Sequence, residues 1–262
     1  MTMLEAQKLT CRVKSGTKNG QILVEQISFA VQPGKTTMLI GPNGSGKTTL
    51  LRALAGLIRP DAGAVLLGNR PIGDYSPADR ARELAYLPQD RSFAWSQPVR
   101  DMVALGRFAY GGSPGKLATE DERAIASAIH NCGIDGLADR MCDTLSGGER
   151  ARVHLARAFA AQTPVLIADE PVAALDPKAQ HDMLQLFADA ARQGCAVLVV
   201  VHDLALAARY ADHLLWLQNG HLVAQGSVQD TLTPERLRDI FGVETVIHET
   251  DGMMVPIITR PV

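Results

Sequence analysis

Apolar positions along this chain fall into two kinds of run. Thr36-Thr-Met-Leu-Ile40, Val165-Leu-Ile-Ala168 and Ala196 to Val201 are short and continuous, which predicts strands buried on both faces, as in a parallel sheet covered by helices. Met3 to Val13 and Gln21 to Val31 are more mixed. The polar stretch Ser15-Gly-Thr-Lys-Asn-Gly20 between them predicts an antiparallel pair, which Gly63-Ala-Val-Leu-Leu-Gly68 can join. From about Gln89 to Ala161 the strand signal stops. Val99 to Phe108 has helical spacing, Gly111-Gly-Ser-Pro-Gly115 is a loop, and Thr119 to His130 opens with Thr119 and Glu122 at capping-box spacing. Arg150 to Ala161 and Leu204 to His213 read as amphipathic helices. Leu214-Leu-Trp-Leu-Gln, Asn219-Gly220 and His221-Leu-Val-Ala-Gln form a hairpin signal, and Pro234 stands at the first position of a further helix. Strands alternating with helices predict an α/β fold, here with a helical lobe inserted between two core strands.

Composition narrows the classes. A chain of 262 residues with 46% apolar and 21% charged positions has material for one large domain and is neither disordered nor a disulfide scaffold. The formal net charge of −2 supplies no basic field, so nucleic acid is not an expected partner. The run Cys195 to Val201 is about a third of the roughly 20 residues a membrane-crossing helix needs. Met1 to Ala6 lacks a cationic segment followed by an apolar one, so a cytoplasmic location is expected. Cys11, Cys132, Cys142 and Cys195 form no C-x-x-C pair and are expected as reduced thiols without a metal.

Gly41-Pro42-Asn43-Gly44-Ser45-Gly46-Lys47-Thr48 matches the phosphate loop G-x-x-x-x-G-K-[ST], between the strand ending at Ile40 and the helical segment from Thr49. Such a match arises by chance in about one chain in a hundred. Backbone N–H groups of this loop and the positive end of the following helix suit phosphate oxygens. Lys47 is the expected partner of the β- and γ-phosphates, and the Thr48 hydroxyl of Mg²⁺. Leu145-Ser146-Gly147-Gly148-Glu149 could be no more than a helix start, since Ser146 and Glu149 have capping-box spacing.

In this order behind a phosphate loop, Leu145 to Glu149 resembles the signature of ABC-type ATPases, and the remaining motifs fit that resemblance in sequence order. Val165-Leu-Ile-Ala-Asp169-Glu170 looks like Walker B, with Asp169 in the Mg²⁺ shell and Glu170 polarising the attacking water. Ala174-Leu-Asp176-Pro is similar to the D-loop, His202 stands where the switch histidine belongs, and Gln89 matches the Q-loop glutamine that reaches Mg²⁺ or water. The resemblance covers about Leu4 to Gly242. It implies a P-loop NTPase core with a mostly parallel sheet and an N-terminal antiparallel β subdomain (1–88 and 162–242), an α-helical lobe (89–161) and a C-terminal extension (243–262). ATP and Mg²⁺ are the implied ligands, contacted by Gly41 through Thr49. The family also implies a head-to-tail homodimer in which Ser146, Gly147 and Gly148 of one chain close on the γ-phosphate of the other. One position departs from the pattern: where relatives carry an aromatic that stacks on adenine, this chain has Val13. Phe29 and Tyr86 are expected in the core.

With no membrane domain fused, the chain resembles importer ATPases that serve a separate permease. Ala81 to Asp90 and Val99 to Arg107 are similar to the corresponding segments in bacterial importers of ferric siderophores, haem and cobalamin. That implies a peripheral position on the cytoplasmic face of the cell membrane, integral permease subunits and a periplasmic or surface substrate-binding protein. Val99, Met102, Val103 and Leu105 do not share one helical stripe, so some of them are expected to line an exposed groove for the permease, with Arg100 and Arg107 beside it. An ABC ATPase acting on nucleic acid or ribosomes, or one serving another substrate, remains open. A P-loop kinase would leave Leu145 to Glu149 unexplained.

Overall fold

A computed structural model describes residues 3–13, 20–90, 92–93, 95–113, 115–250 and 253–262. The expected 15–19 link and Pro114 of the expected 111–115 loop lie outside the described residues. In chain order the elements are β1 (Leu4–Val13), β2 (Gln21–Val31), β3 (Thr36–Ile40), α1 (Lys47–Leu54), β4 (Ala62–Leu67), β5 (Arg70–Pro71), α2 (Pro77–Glu83) and β6 (Leu84–Leu87). Then come α3 (Val99–Ala104), α4 (Thr119–Asn131), α5 (Gly147–Ala160), β7 (Val165–Ala168), α6 (Pro177–Arg192), β8 (Ala196–Val200) and α7 (Leu204–Tyr210). The chain ends in β9 (His213–Gln218), β10 (His221–Gly226), α8 (Val228–Thr231), α9 (Pro234–Phe241), β11 (Val243–Thr250) and β12 (Met253–Pro261).

One sheet has the order β2-β1-β4-β5 and is antiparallel throughout. A second has the order β10-β9-β3-β8-β7-β6, parallel from β9 to β6 with β10 returning antiparallel on β9. Every residue of β3, β7 and β8 is buried, because both faces of this sheet are covered. Met38, Ile40, Leu166, Ala168, Val197 and Val199 point into one core with the helices from α3 to α9. Leu39, Val165, Ile167, Leu198 and Val200 point into a second core with α1 and the antiparallel sheet. Each of the Val, Leu, Ile and Met side chains among them stabilises the fold by roughly 1.5–3 kcal/mol on burial.

Between β6 and β7 the described residues form helices and turns without a strand. α3 stops at Ala104 and the chain tightens to a 3₁₀ turn over Leu105–Tyr110, shorter than the helix expected to Phe108. Gly106 lies so close to α5 that a β-carbon there would stand 2.2 Å from Arg157 O, which leaves no room for another helical turn with a side chain. α3 is enclosed by α4 and α5, so Val99, Met102 and Val103 are buried and Leu105 is half-buried; among the described residues these four line no exposed groove, contrary to expectation. The expected box of Thr119 and Glu122 is displaced by one residue: Asp121 Oδ2 accepts from Ala118 N at 3.2 Å, and Asp121 also pairs with Arg107. α7 ends at Tyr210 rather than His213, because Asp212 Oδ2 accepts from Thr36 N at 2.8 Å and pulls the chain into β9. β11 and β12 form a hairpin whose Ile247 and Met254 pack on the helical core.

Candidate nucleotide site

The motif residues gather at the carboxyl ends of the parallel strands, where open α/β sheets present their ligand crevice. Gly41, directly after β3, has no room for a side chain: a β-carbon would stand 2.1 Å from Leu217 O. Gly46 caps α1 at φ 100°, and a β-carbon there would meet Leu23 O at 2.4 Å. No side chain caps α1, so its first-turn N–H groups are left for a ligand. The loop is clamped from behind, Gly220 N donating to Ser45 O at 3.1 Å and Glu25 N to Gly220 O at 2.9 Å. Asn43 and Gly44 are exposed, Pro42, Thr48 and Thr49 half-buried. Lys47 is buried and its Nζ donates to Gly41 O (2.8 Å) and Pro42 O (2.9 Å). Burial lowers its pKa, against which Glu170 and Asp169 act. The buried Ser45 hydroxyl has no hydrogen-bond partner among the described residues.

Parallel register brings the other motifs here. Leu87 lies opposite Ala168, and Ala168 opposite Val199, so chains leaving β6, β7 and β8 emerge together. Asp169 N donates to Leu87 O at 2.9 Å. Asp169 is 1% exposed and, among the described residues, neither carboxylate oxygen completes a hydrogen bond of ordinary geometry, although the Thr48 hydroxyl lies beside it. Burial raises the Asp169 pKa, opposed by that hydroxyl and by the Arg52 and Lys47 charges. Glu170, at φ 49°, is held in the left-handed region that non-glycine residues enter at a cost. Its Oε2 accepts from Gln89 Nε2 at 2.7 Å and its Oε1 lies 2.5 Å from His202 Nε2. Gln89, Glu170 and His202 therefore form one cluster.

Ser146, Gly147 and Gly148 stand elsewhere, at the start of α5. Ser146 N donates to Glu149 Oε2 (2.8 Å) and Glu149 N to Ser146 Oγ (3.3 Å), completing the expected box. The Ser146 main-chain donor holds the Glu149 carboxyl below its usual range. Gly147 and Gly148 face open space, and no described hydrogen bond joins them to the phosphate loop.

The ABC transporter family profile matches residues 24–173, more than half of the chain. This chain belongs to the ABC transporter family and is an ATPase. A hemin import ATP-binding protein HmuV of Nocardia farcinica is 41% identical over 259 residues, covering 98% of this chain and 89% of that protein. A solved inward-facing ABC transporter has the same fold, with TM-score 0.83 at 24% identity over 100% of this chain and 98% of its own. A dimeric post-hydrolysis state of an ATP-binding cassette bound to ADP and phosphate matches at 25% identity and TM-score 0.76, over 86% of this chain and 98% of its own.

Tyr86, expected in the core alongside the buried Phe29, packs against that core only half-buried in this ABC ATPase. Burial raises its hydroxyl pKa, with Asp169 acting the same way and Arg52 against it. Its place on β6, three residues before Gln89, is the signal that could have found it. Val13 is 43% exposed. The four cysteines are free thiols, and burial pushes Cys132 and Cys195 up to about 12. A concavity of about 610 Å³ between α4, α5 and α6 opens at the amino ends of β7 and β8, away from every motif residue. Among the described residues no group of three or more His, Cys, Asp or Glu side chains could hold a metal unaided, and no helix is long and apolar enough to cross a membrane.

Proposed function

We propose that the chain is the ATP-hydrolysing subunit of an importer for haem or an iron chelate, working as a head-to-tail homodimer on a separate permease at the cytoplasmic face of the membrane. The observation that carries the hydrolytic part is the Glu170 carboxylate, shared between Gln89 and His202 in front of the phosphate loop. Lys47 leaves the carbonyls of Gly41 and Pro42 for the phosphates, and the N–H groups of Gly44 to Thr49 surround them. Glu170 takes the proton of the attacking water while Gln89 and His202 hold its carboxylate in place, so the rate comes from positioning and charge stabilisation.

The chemistry of the donor set fits Mg²⁺: Asp169 offers two buried oxygens without hydrogen bonds beside the Thr48 hydroxyl, and a hard cation completes so small a protein shell with phosphate and water oxygens. Thr48, Asp169 and Gln89 would hold it. The ion supplies charge neutralisation at the phosphates.

Ser146, Gly147 and Gly148 present an exposed helix start that, from a second copy, would complete the γ-phosphate site. The lobe of residues 89–161 is then the moving unit against the core of 1–88 and 162–242, with 243–262 as an extension. Trp95 at 62% and Phe108 at 73% exposure replace the buried α3 stripe as the apolar surface for the permease. A substrate-binding protein outside the membrane would deliver the haem, the cargo favoured by the name of the similar Nocardia protein. The test is co-expression with a candidate permease. A purified complex should hydrolyse ATP and support haem uptake, and Glu170→Gln should lose both while still binding ATP. A complex that hydrolyses ATP but takes up no haem overturns the cargo, and unchanged turnover in Glu170→Gln overturns the mechanism.

A further inference from the structure

Glu170 and His202 each lead into a helix. Past Glu170 the chain turns, with Ala173 N donating to Glu170 O at 3.2 Å and Leu175 N to Val172 O at 3.3 Å, and enters α6 at the capping Asp176. Gln180 Nε2 donates back from α6 to Val172 O at 3.4 Å, so the helix and the loop carrying Glu170 are one piece. Past His202 the chain enters α7 at once, Asp203 Oδ1 accepting from Ala205 N (2.8 Å) and Leu206 N (3.0 Å).

A second bond ties the two helices farther along. His181 Nδ1 on α6 lies 2.9 Å from the Tyr210 hydroxyl at the last residue of α7, and that hydroxyl donates to His181 O at 3.3 Å. The rings stand 5.7 Å apart, tilted by 51°. With its single proton on the carbonyl, the hydroxyl oxygen accepts from His181 Nδ1–H.

The His202 side chain is 44% exposed, so packing does not fix it; its place depends on where α7 sits. α7 is short, about 10 Å of helix; it buries Leu206 and Ala207 fully, and Leu204, Ala208 and Tyr210 pack half-buried on the same core. The Glu170 to His202 bond holds the chain just before α7, and the His181 to Tyr210 bond holds the last residue of α7 against the first third of α6. Together they fix both ends of α7 relative to α6 and the loop that precedes it. We infer that His181 and Tyr210 are positioning residues for ATP hydrolysis, their hydrogen bond setting α7, and through it His202, against Glu170. This rests on the hydrolytic reading of Glu170 and His202 given above.

The test uses the full chain, measuring kcat and KM for ATP and the thermal midpoint. Tyr210→Phe removes only the hydroxyl and should lower kcat about fivefold, the rate equivalent of one neutral hydrogen bond, with KM and midpoint little changed. Asn carries its amide nitrogen near the position of Nδ1 and Gln near that of Nε2, so His181→Asn should keep most of the activity that His181→Gln loses. In a His202→Ala background, followed in single turnovers with excess enzyme, Tyr210→Phe should cost nothing further, because what it positions is gone.

A fivefold loss repeated in that background, or a fall in kcat matched by a fall in midpoint, would make the pair structural and overturn the inference. Unchanged kcat in Tyr210→Phe beside an impaired His202→Ala overturns it while leaving the hydrolytic reading intact. Wild-type turnover in His202→Ala sinks that reading itself. If hydrolysis without His202 is too slow to follow, the contrast between Asn and Gln at position 181 decides: equal activities refute the inference.

Discussion

Replacing Arg107 separates a residue that builds the lobe from one that decorates it. Its Nε donates to Asp121 Oδ1 at 2.7 Å, and its Nη1 donates to Ala160 O at 3.1 Å and Gln162 Oε1 at 3.2 Å. The guanidinium lies 3.8 Å from the centre of the Tyr110 ring. These contacts bind the turn after α3 to the start of α4 and the end of α5, and the paired side chains are 3% and 7% exposed. Arg107→Ala leaves the Asp121 carboxylate, among the described residues, with only the Ala118 N–H and strips the Ala160 carbonyl of the Arg107 donor. Removing one partner of a buried pair costs about 3–5 kcal/mol, and this pair lies just beneath the surface, so the lower end, about 3 kcal/mol, applies. At roughly 2–4 °C per kcal/mol for a chain of this size, the thermal midpoint should fall by roughly 6–12 °C. Arg100, paired with Glu122 where both side chains are about half exposed, supplies the control: Arg100→Ala should cost about 0–1 kcal/mol.

The pH dependence has a definite sign. The Arg107 hydrogen bond holds the Asp121 carboxyl below its usual range. Its contribution is therefore complete above the unfolded value, about pH 4, and is lost as pH falls through the lowered folded value. Urea unfolding of both variants across pH 3 to 7 measures this. Equal, sub-kcal/mol effects of the two substitutions at neutral pH would refute the argument, as would an Arg107→Ala penalty that grows as the solution is acidified.

Lys47→Ala removes the buried cation that now bonds the Gly41 and Pro42 carbonyls and should abolish tight ATP binding by equilibrium titration; retained affinity would mean that phosphate is held elsewhere. Glu170→Gln should lower turnover by roughly 10²–10⁴-fold while ATP affinity persists, and should accumulate an ATP-bound dimer on size-exclusion chromatography. Val13, aliphatic and 43% exposed, offers no ring for a base, so GTP should compete with ATP, and Val13→Tyr should add an ATP preference toward the 1–3 kcal/mol of a stacked base; a strong ATP preference already present in the unmodified chain contradicts this.

The sequence was most legible where partners are near in sequence or fixed by strand register. Gly41 to Thr48 and Ser146 to Glu149 are local devices, and each folds as its spacing predicts. Gln89, Glu170 and His202 lie far apart in the chain, yet each stands two residues past the end of a parallel strand, and in-register parallel strands end together. Counting past the strand ends is enough to assemble them.

The lobe has no register to count along, and there the reading failed. Arg107 looks like a surface charge until Asp121, Tyr110 and the end of α5 close around it, and nothing in the spacing of residues 107, 121 and 160 announces that meeting. Asp121 caps α4 in place of the expected pair because the same carboxylate also answers Arg107, a demand from outside the helix. Asp212 ends α7 early through a bond to Thr36, 176 residues away, which no pattern in 204–213 contains. Tyr210 is the sharper case. Periodicity gives it a place inside a helix running to His213, whereas the bond from Asp212 makes it the terminal residue, facing His181 across the packed pair. The long-range contact that defeats the helix boundary is thus the one that delivers the Tyr210 hydroxyl to α6, and the positioning role inferred for it follows from the difference.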